Sequence, residues 1–438
     1  MSDKQHNGLT SGTSGLGFSR RAFLQTGAAA AALTMMPGWL SSSAYAQGGD
    51  GALNVALVGC GGRGKGALKD AMEAAGLHGV VLKCVAVCDY FAERANEVGE
   101  AQGVPVELRF TGPTGYQQLM QTDADLVILA TPPLFRPVHL AAAIEAGKHV
   151  FMEKPAAVDP PGCRKVMSLG ELAESKGLNI VAGTQRRHQN GYIKHAHAIR
   201  EGAIGDIVGG QVYWCQSRLW YKNREANDSA ADYMVRNWVS FLEMSGDHIV
   251  EQHVHQIDVA NWFIGRHPVS AVGFGSRQRR VTGNMYDNFS VEFDYGDGCS
   301  VHSMCRQING CYNKVDALFT GTEGRVWDER RIARYDKAEI KLPDVTGSDK
   351  SYVQEHVALQ SAIINGEKIN EAKQVAESTL TAIMGRISAY TGQMVQWDDV
   401  MNNKDSAWYG LTLSPSADDF ESGGVSLPEE GVAPVPGE

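Results

Sequence analysis

Apolar residues are gathered unevenly along this chain. From residue 53 they form short unbroken runs, and between the runs they recur every three to four positions. "LNVALVG" (53–59) is such a run, ending at glycine, and the spacing after it predicts a helix over about 63–76. "VVLKCVAVCD" predicts a second strand and "YFAERANEVGEAQG" a second helix. "ADLVILAT" (124–131), "KHVFME" and "LNIVAG" (178–183) predict further buried strands, with helices over "RPVHLAAAIEAG" and up to about Lys176. Continuous apolar strands alternating with amphipathic helices imply a parallel sheet covered on both faces, a doubly wound α/β architecture.

The period changes after Gly183. In "NFSVEFDY" (288–295) Phe289, Val291, Phe293 and Tyr295 fall on one side, "GDG" (296–298) supplies a turn, and "CSVHSMC" runs back. "AVGFGSRQRRV" and "NKVDALFTG" are further strand candidates. One-sided alternation predicts a large, open, mainly antiparallel sheet with one face on the core, hence an α+β second domain. Helical spacing returns over 352–365 and 370–391. The segments expected are a Rossmann-type parallel-sheet domain over 52–183, onto which a helix at 370–392 is expected to pack back, an α+β domain over 184–369, and an extended or disordered tail over 411–438, rich in Pro, Gly, Ser and acid.

Three places carry candidate chemistry. Directly after the first strand stands Gly59-Cys60-Gly61-Gly62-Arg63-Gly64, a G-x-G-x-x-G sequence in strand–turn–helix context. Gly59 makes the tight turn, Gly61 lets the backbone approach a pyrophosphate, and Gly64 lets helix and strand pack closely. The helix N-terminus adds free N–H groups and a positive dipole. Gly62 and Arg63 complete the loop. Asp89, ending the second strand, is placed to bind the ribose hydroxyls of a dinucleotide. A carboxylate there repels a 2′-phosphate and favours NAD. Arg63 could offset the repulsion, so NADP stays open.

The N-terminus has the order of an export leader. Arg20 and Arg21 in "SRRAFLQTGAA" precede an uncharged stretch from Thr26 to Ala46, which closes on Ala44-Tyr45-Ala46. Twin arginines before such a run mark the bacterial route that carries folded proteins, so residues 1–46 are expected to be a twin-arginine signal peptide cleaved near Ala46, and the mature protein to be periplasmic. The twin-arginine export machinery is thus an expected partner. Removing 46 residues takes three basic and one acidic side chain from the 40 and 50, leaving 37 and 49, a net charge of −12. That balance speaks against nucleic acid as a partner, and no later run is long and apolar enough to anchor the chain in a membrane. The eight cysteines show no zinc spacing, and most are read as free thiols.

"AGKHVFMEKPAA" (146–157) resembles the glucose–fructose oxidoreductase / inositol 2-dehydrogenase / MocA family, whose members follow the dinucleotide domain with a strand ending in E-K-P. The similarity extends over most of residues 53–395. "DADLVILATPP" resembles the family's third-strand signature, "GTQRRHQNGYIKHAHAIREGAIGDIV" (183–208) its crossover into the open sheet, "EQHVHQIDVANWFIG" (251–265) its D-x-x-x-H-x-x-D helix, and "AESTLTAIMGRISAYTG" (376–392) a helix of members exported with twin-arginine leaders. The resemblance implies that Thr131 and Pro132 border the nicotinamide, with Glu153 and Lys154 beside them. Two departures stand out. Arg136 occupies the place where the family usually has His, and Glu251 the place where it has Asp.

Lys154, at the carboxyl edge of a parallel strand, can stabilise an alkoxide as a hydride leaves, or it can be a surface lysine snorkelling at a strand end. On a helical wheel, His248, Glu251, His255, Asp258 and Trp262 share an arc of about 80°. Such a face can be merely solvated, can ligate metal through Glu251 and His255, or can do acid–base work with His255 as base and Glu251 as the orienting group. The resemblance favours the last, without metal. Arg186 and Arg187 are expected to flank the substrate pocket, and the aromatic segment 213–242, Trp238 included, suits a sugar ring or simple packing.

The function implied is hydride transfer between a sugar or sugar-derivative hydroxyl carbon and a tightly held NAD(P), by a homodimer or homotetramer. A glycosidase working by transient oxidation and elimination, like α-N-acetylgalactosaminidases, and a non-catalytic sugar-binding relative are the alternatives.

Overall fold

The structure, a computed structural model, describes residues 52–434; the twin-arginine leader expected over residues 1–46 lies outside them. The first half builds β1 (Ala52–Val58), α1 (Gly62–His78), β2 (Val81–Asp89), α2 (Ala92–Ala101), β3 (Arg109–Thr111), α3 (Gly115–Leu119), β4 (Leu126–Leu129), α4 (Arg136–Glu145), β5 (His149–Met152), α5 (Pro160–Ser175) and β6 (Ile180–Ala182). The strands pair in parallel in the order β3-β2-β1-β4-β5-β6. The unbroken apolar runs are explained by burial on both faces: in β1, Leu53, Val55 and Leu57 enter one core, while Ala56 and Val58 enter another. β3 is a short edge strand that the apolar pattern did not announce. The strand order reverses between β1 and β4, and the crevice beyond their carboxyl ends is where sheets of this kind bind ligands.

The chain continues through α6 (Asn190–Arg200), β7 (Ile207–Gln216), α7 (Ala230–Arg236), α8 (Leu242–Ser245), α9 (His248–Glu251), α10 (Val254–Ile264), β8 (Ser270–Ser276), β9 (Asn288–Asp294), β10 (Ser300–Gln307), β11 (Lys314–Gly321), β12 (Gly324–Trp327) and β13 (Arg331–Arg334). It ends with α11 (Ser351–Asn365), α12 (Ala372–Thr391), β14 (Val395–Gln396), α13 (Trp397–Met401) and α14 (Ala417–Ser422). The second sheet runs β13-β12-β11-β7-β10-β9-β8-β14 and is antiparallel throughout except where β7 meets β10. On β9, Phe289, Val291 and Phe293 are buried while Glu292 and Asp294 face outward, the alternation expected of a sheet with one wet face. Each such buried side chain contributes roughly 1.5–3 kcal/mol.

Two late helices tie the layers together. α11 lies against α1 and against β5 and β6, so a segment within the expected second domain rests on the first sheet. α12 is buried along nearly its whole length between α5 and the inner face of β8 and β9. Gly385 permits that approach, since a Cβ there would come within 2.9 Å of the Phe293 ring.

Two expectations need correction. The segment 248–262 is not one helix: α9 stops at Glu251, and α10 begins at Val254 after a turn through Gln252 and His253. Residues 411–434 are not a free arm. They contain α14, started by a Ser416–Asp419 capping box, and they bury Ala417 and Phe420. The low apolar content hid this because a few well-spaced apolar side chains suffice to seat so short a segment.

Candidate active site

At the end of β1 the chain turns through Gly59, whose φ of 99° and whose closeness to Ala130 (2.6 Å from a Cβ built there) both require glycine. A Cβ at Gly64 would overlap the Gly59 carbonyl oxygen, so the first turn of α1 lies against the loop itself. A Cβ at Gly61, the N-cap of α1, would meet no atom within 4 Å. The loop backbone therefore borders open space at the place where a pyrophosphate must approach. That space is a cleft of about 440 Å³ lined by Gly59, Gly61, Gly62, Asp89, Thr131 and Pro132, among others.

Asp89, only 5% exposed, accepts from Cys60 N (2.7 Å) and Phe91 N (2.9 Å). Burial raises its pKa, and these two bonds partly offset the rise. A dinucleotide fits this arrangement: N–H groups at the start of a 17-residue helix, a bare glycine edge and a carboxylate in one cleft.

Sequence reasoning missed part of the wall. Tyr116, Phe135 and His139 line it from the first sheet, and Trp220, Val235 and Arg236 from the segment before α8. Thr131 Oγ1 and His139 Nδ1 are 3.0 Å apart, and burial, with Arg136 nearby, lowers the His139 pKa to about 3. Arg136 itself is buried and donates to the carbonyls of Leu129 (2.6 Å) and Thr131 (2.9 Å), bracing the end of β4. Its position one turn before His139 on α4 was the available signal for the histidine.

Two residues assigned to the cofactor pair with each other. Arg63 Nε lies 2.7 Å from Glu153 Oε1, and the guanidinium also reaches Asp70 and rests over the Tyr352 ring. Arg63 thus lashes α1 to the residue preceding Lys154 while still lining the cleft beside Gly62. Glu153 points inward, where Gly183 leaves room for its carboxylate. The attraction between these two charges is long-range in sequence, so spacing could not reveal it.

Lys154 stands two residues beyond the end of β5. Its Nζ donates to the Glu251 carbonyl (2.6 Å) and to Glu251 Oε1 (2.9 Å), and both side chains are about one-tenth exposed. An ammonium has three donors, so one remains for a third oxygen. The ring of His255 stacks on Trp214 at 5.4 Å. Burial first, then the charges of Lys154 and Arg186, holds His255 well below the usual imidazole range, which favours the neutral ring. A neutral base beside a lysine with a spare donor can take an alcohol proton while its oxygen is held.

The other expected residues separate. Arg186 stays near this group, its guanidinium 5.1 Å over Trp214 and its Nε donating to the Tyr192 hydroxyl at 3.0 Å. Arg187 is locked by Asp258, which receives its Nε (2.8 Å) and Nη2 (2.9 Å), and is covered by Trp262. Its charge is satisfied within the fold. His248 pairs with Asp247 at 3.0 Å, and His253 with the Ser303 hydroxyl at 2.7 Å. Trp238 stands edge-on to Trp220 in the cleft wall, and Trp214 is the tryptophan stacked on His255.

Residues 53–184 match the model of an oxidoreductase family with an NAD-binding Rossmann fold (GFO/IDH/MocA), and residues 192–327 match the GFO/IDH/MocA C-terminal domain. Inositol 2-dehydrogenase 3 of Saccharopolyspora erythraea is 35% identical over 187 residues, 43% of this chain and 47% of that one. The inositol 2-dehydrogenase/D-chiro-inositol 3-dehydrogenase of Halalkalibacterium halodurans is 29% identical over 182 residues, 42% and 45% of the two chains. The chain thus spans about half the length of these curated relatives. Among solved structures, a levoglucosan dehydrogenase in complex with NADH and levoglucosan superposes with a TM-score of 0.62 at 18% identity, over 79% of this chain and 99% of that one. The aldose-aldose oxidoreductase from Caulobacter crescentus gives 0.60 at 16%, over 78% and 99%. At such identities the likeness is one of fold. With one family model on each of the two sheets, the chain belongs to the GFO/IDH/MocA oxidoreductase family.

Proposed function

We propose that this protein is an NAD(P)-dependent oxidoreductase that moves a hydride between a hydroxyl-bearing carbon of a sugar or sugar derivative and a tightly held dinucleotide. The observation that carries the reading is the Lys154–Glu251 pair at the carboxyl edge of β5, with the Lys154 charge felt by the His255 ring. Gly59, Gly61, Gly62 and Asp89 would hold the dinucleotide, with Thr131 and Pro132 on the wall beside them. When bound, nicotinamide supplies the site that accepts or returns the hydride. His255 takes the hydroxyl proton, the free donor of Lys154 steadies the oxygen as negative charge develops, and Glu251 aims Lys154. The relatives, inositol dehydrogenases by sequence and a levoglucosan dehydrogenase by fold, support a polyhydroxylated substrate. Denaturing the purified protein and assaying released nucleotide tests the cofactor: stoichiometric NAD(H) is expected, and an empty protein contradicts the reading.

The leader sequence supports export by the twin-arginine route to the periplasm. A cargo that folds first can carry its cofactor with it, and the held cofactor is then recycled in place by a second substrate or by the same one.

Asp89→Ala removes the ribose acceptors and the anchor of Cys60 N. Nucleotide binding is expected to weaken by about 1–3 kcal/mol, and equal nucleotide content in variant and parent would remove Asp89 from the site.

A depressed pKa keeps His255 in its proton-accepting form to lower pH. The acid limb of kcat/KM for alcohol oxidation is therefore expected below the ordinary imidazole value of about 6.5. It should move upward in Lys154→Met, which removes one of the charges that depress it. A parent limb at or above the ordinary value would show that His255 is not the base.

A further inference from the structure

The C-terminal segment 411–431 takes no part in the chemistry above, yet it touches both sides of the cleft. On the side of the first sheet, the Phe420 ring stands edge-on to Phe135 with centroids 5.2 Å apart, and the Tyr116 hydroxyl donates to Glu421 Oε1 at 2.8 Å. Phe135 and Tyr116 both line the cleft. On the other side, Glu430 Oε1 accepts from the Tyr233 hydroxyl (2.9 Å) and from Gly283 N (2.8 Å), and Gly431 N donates to Gly283 O (2.9 Å). Tyr233 belongs to α7, which also carries the wall residues Val235 and Arg236.

Between these fastenings, Ala417 and Phe420 enter a small apolar core with Phe91, Leu134 and Phe135 from the first sheet and Tyr233, Met234 and Val235 from α7. Arg236 closes the same seam, its guanidinium 3.9 Å over the Phe91 ring. Separating the two walls therefore requires stripping Phe420 out of its core and breaking the bonds at Glu421 and Glu430.

We propose that residues 411–431 are a strap that holds the two walls of the cleft together and sets how slowly the dinucleotide leaves. The proposal rests on the cleft being the dinucleotide site. It makes retention of the cofactor a property of the chain's C-terminal end as well as of the glycine loop, and it predicts that loosening the strap converts a held cofactor into an exchangeable one. Neither Phe420 nor Glu430 lines the cleft, so neither can act by touching the ligand.

The test is the rate of NAD release from the full-length loaded protein, followed by an enzyme that consumes free NAD, in the parent, Phe420→Ala and Glu430→Gln. Circular dichroism checks that each is folded; Glu430→Gln keeps size and shape and serves where Phe420→Ala does not fold. Release at least about tenfold faster in a folded variant is expected, since weakened contacts act chiefly on the off-rate. Release at the parent's rate in the folded variants overturns the strap while leaving the dinucleotide site intact. A parent that carries and binds no NAD overturns both.

Discussion

Lys154→Met is expected to lower turnover about a hundredfold or more while the nucleotide stays bound, as for the loss of one preorganised donor at a developing oxyanion. The same change should also cost stability. It leaves the Glu251 carboxylate, about one-tenth exposed, without its ion pair, a loss on the order of 3 kcal/mol. The two effects separate in a second variant: Lys154→Met/Glu251→Gln removes the unpaired charge and should recover most of the stability, but none of the turnover. Denaturant unfolding and single-turnover kinetics on both variants check this. Turnover restored together with stability would mean that Lys154 holds the fold and does no chemistry.

Two alanines three residues apart should behave in opposite ways. At Gly64 a methyl group would overlap the Gly59 carbonyl, so Gly64→Ala must shift backbone against backbone and is expected to destabilise the fold by about 3 kcal/mol or more. At Gly61 a methyl group meets nothing within 4 Å and φ is −71°, so Gly61→Ala should unfold at the parent's midpoint. It should nevertheless bind dinucleotide at least about tenfold, or 1.4 kcal/mol, more weakly, because the methyl group occupies the approach of the pyrophosphate. A Gly61→Ala protein with the parent's affinity would place the phosphates elsewhere. The contrast is useful because one variant tests packing and the other tests the ligand.

Local patterns carried most of the fold. Strands such as 53–58 and 288–294 announce themselves because burial on two faces or on one leaves a direct mark on the order of apolar residues. β3 and β14 left no mark, being only three and two residues long. At the site, the glycine loop, Asp89, Lys154, Glu251 and His255 could be picked out because each stands at a strand end or in a motif.

What spacing could not reveal was partnership across the fold. Asp258 and Arg187 lie 71 positions apart, and only the folded chain shows that each satisfies the other. Arg63 and Glu153 are a similar case. A helical wheel placed His248 beside Glu251 and His255, but the turn at Gln252 and His253 breaks the wheel, and His248 goes to Asp247 instead. The aromatic residues of 213–242 divide between two places, Trp214 beside His255 and Trp220 and Trp238 over the cleft, because the chain leaves β7 and returns along α7 on the other side.

In the proposed reaction a dinucleotide held in the Gly61–Asp89 cleft exchanges hydride with a sugar hydroxyl positioned by Lys154 and His255. It is tested most directly by following absorbance at 340 nm when purified protein, loaded with oxidised cofactor, is mixed with a panel of polyols and aldoses. A single-turnover rise is expected with at least one of them in the parent, and a rise about a hundredfold slower in Lys154→Met carrying the same amount of nucleotide. An equally fast rise in both proteins, or a loaded parent that cleaves a glycoside with no transfer of hydride at any stage, would contradict it.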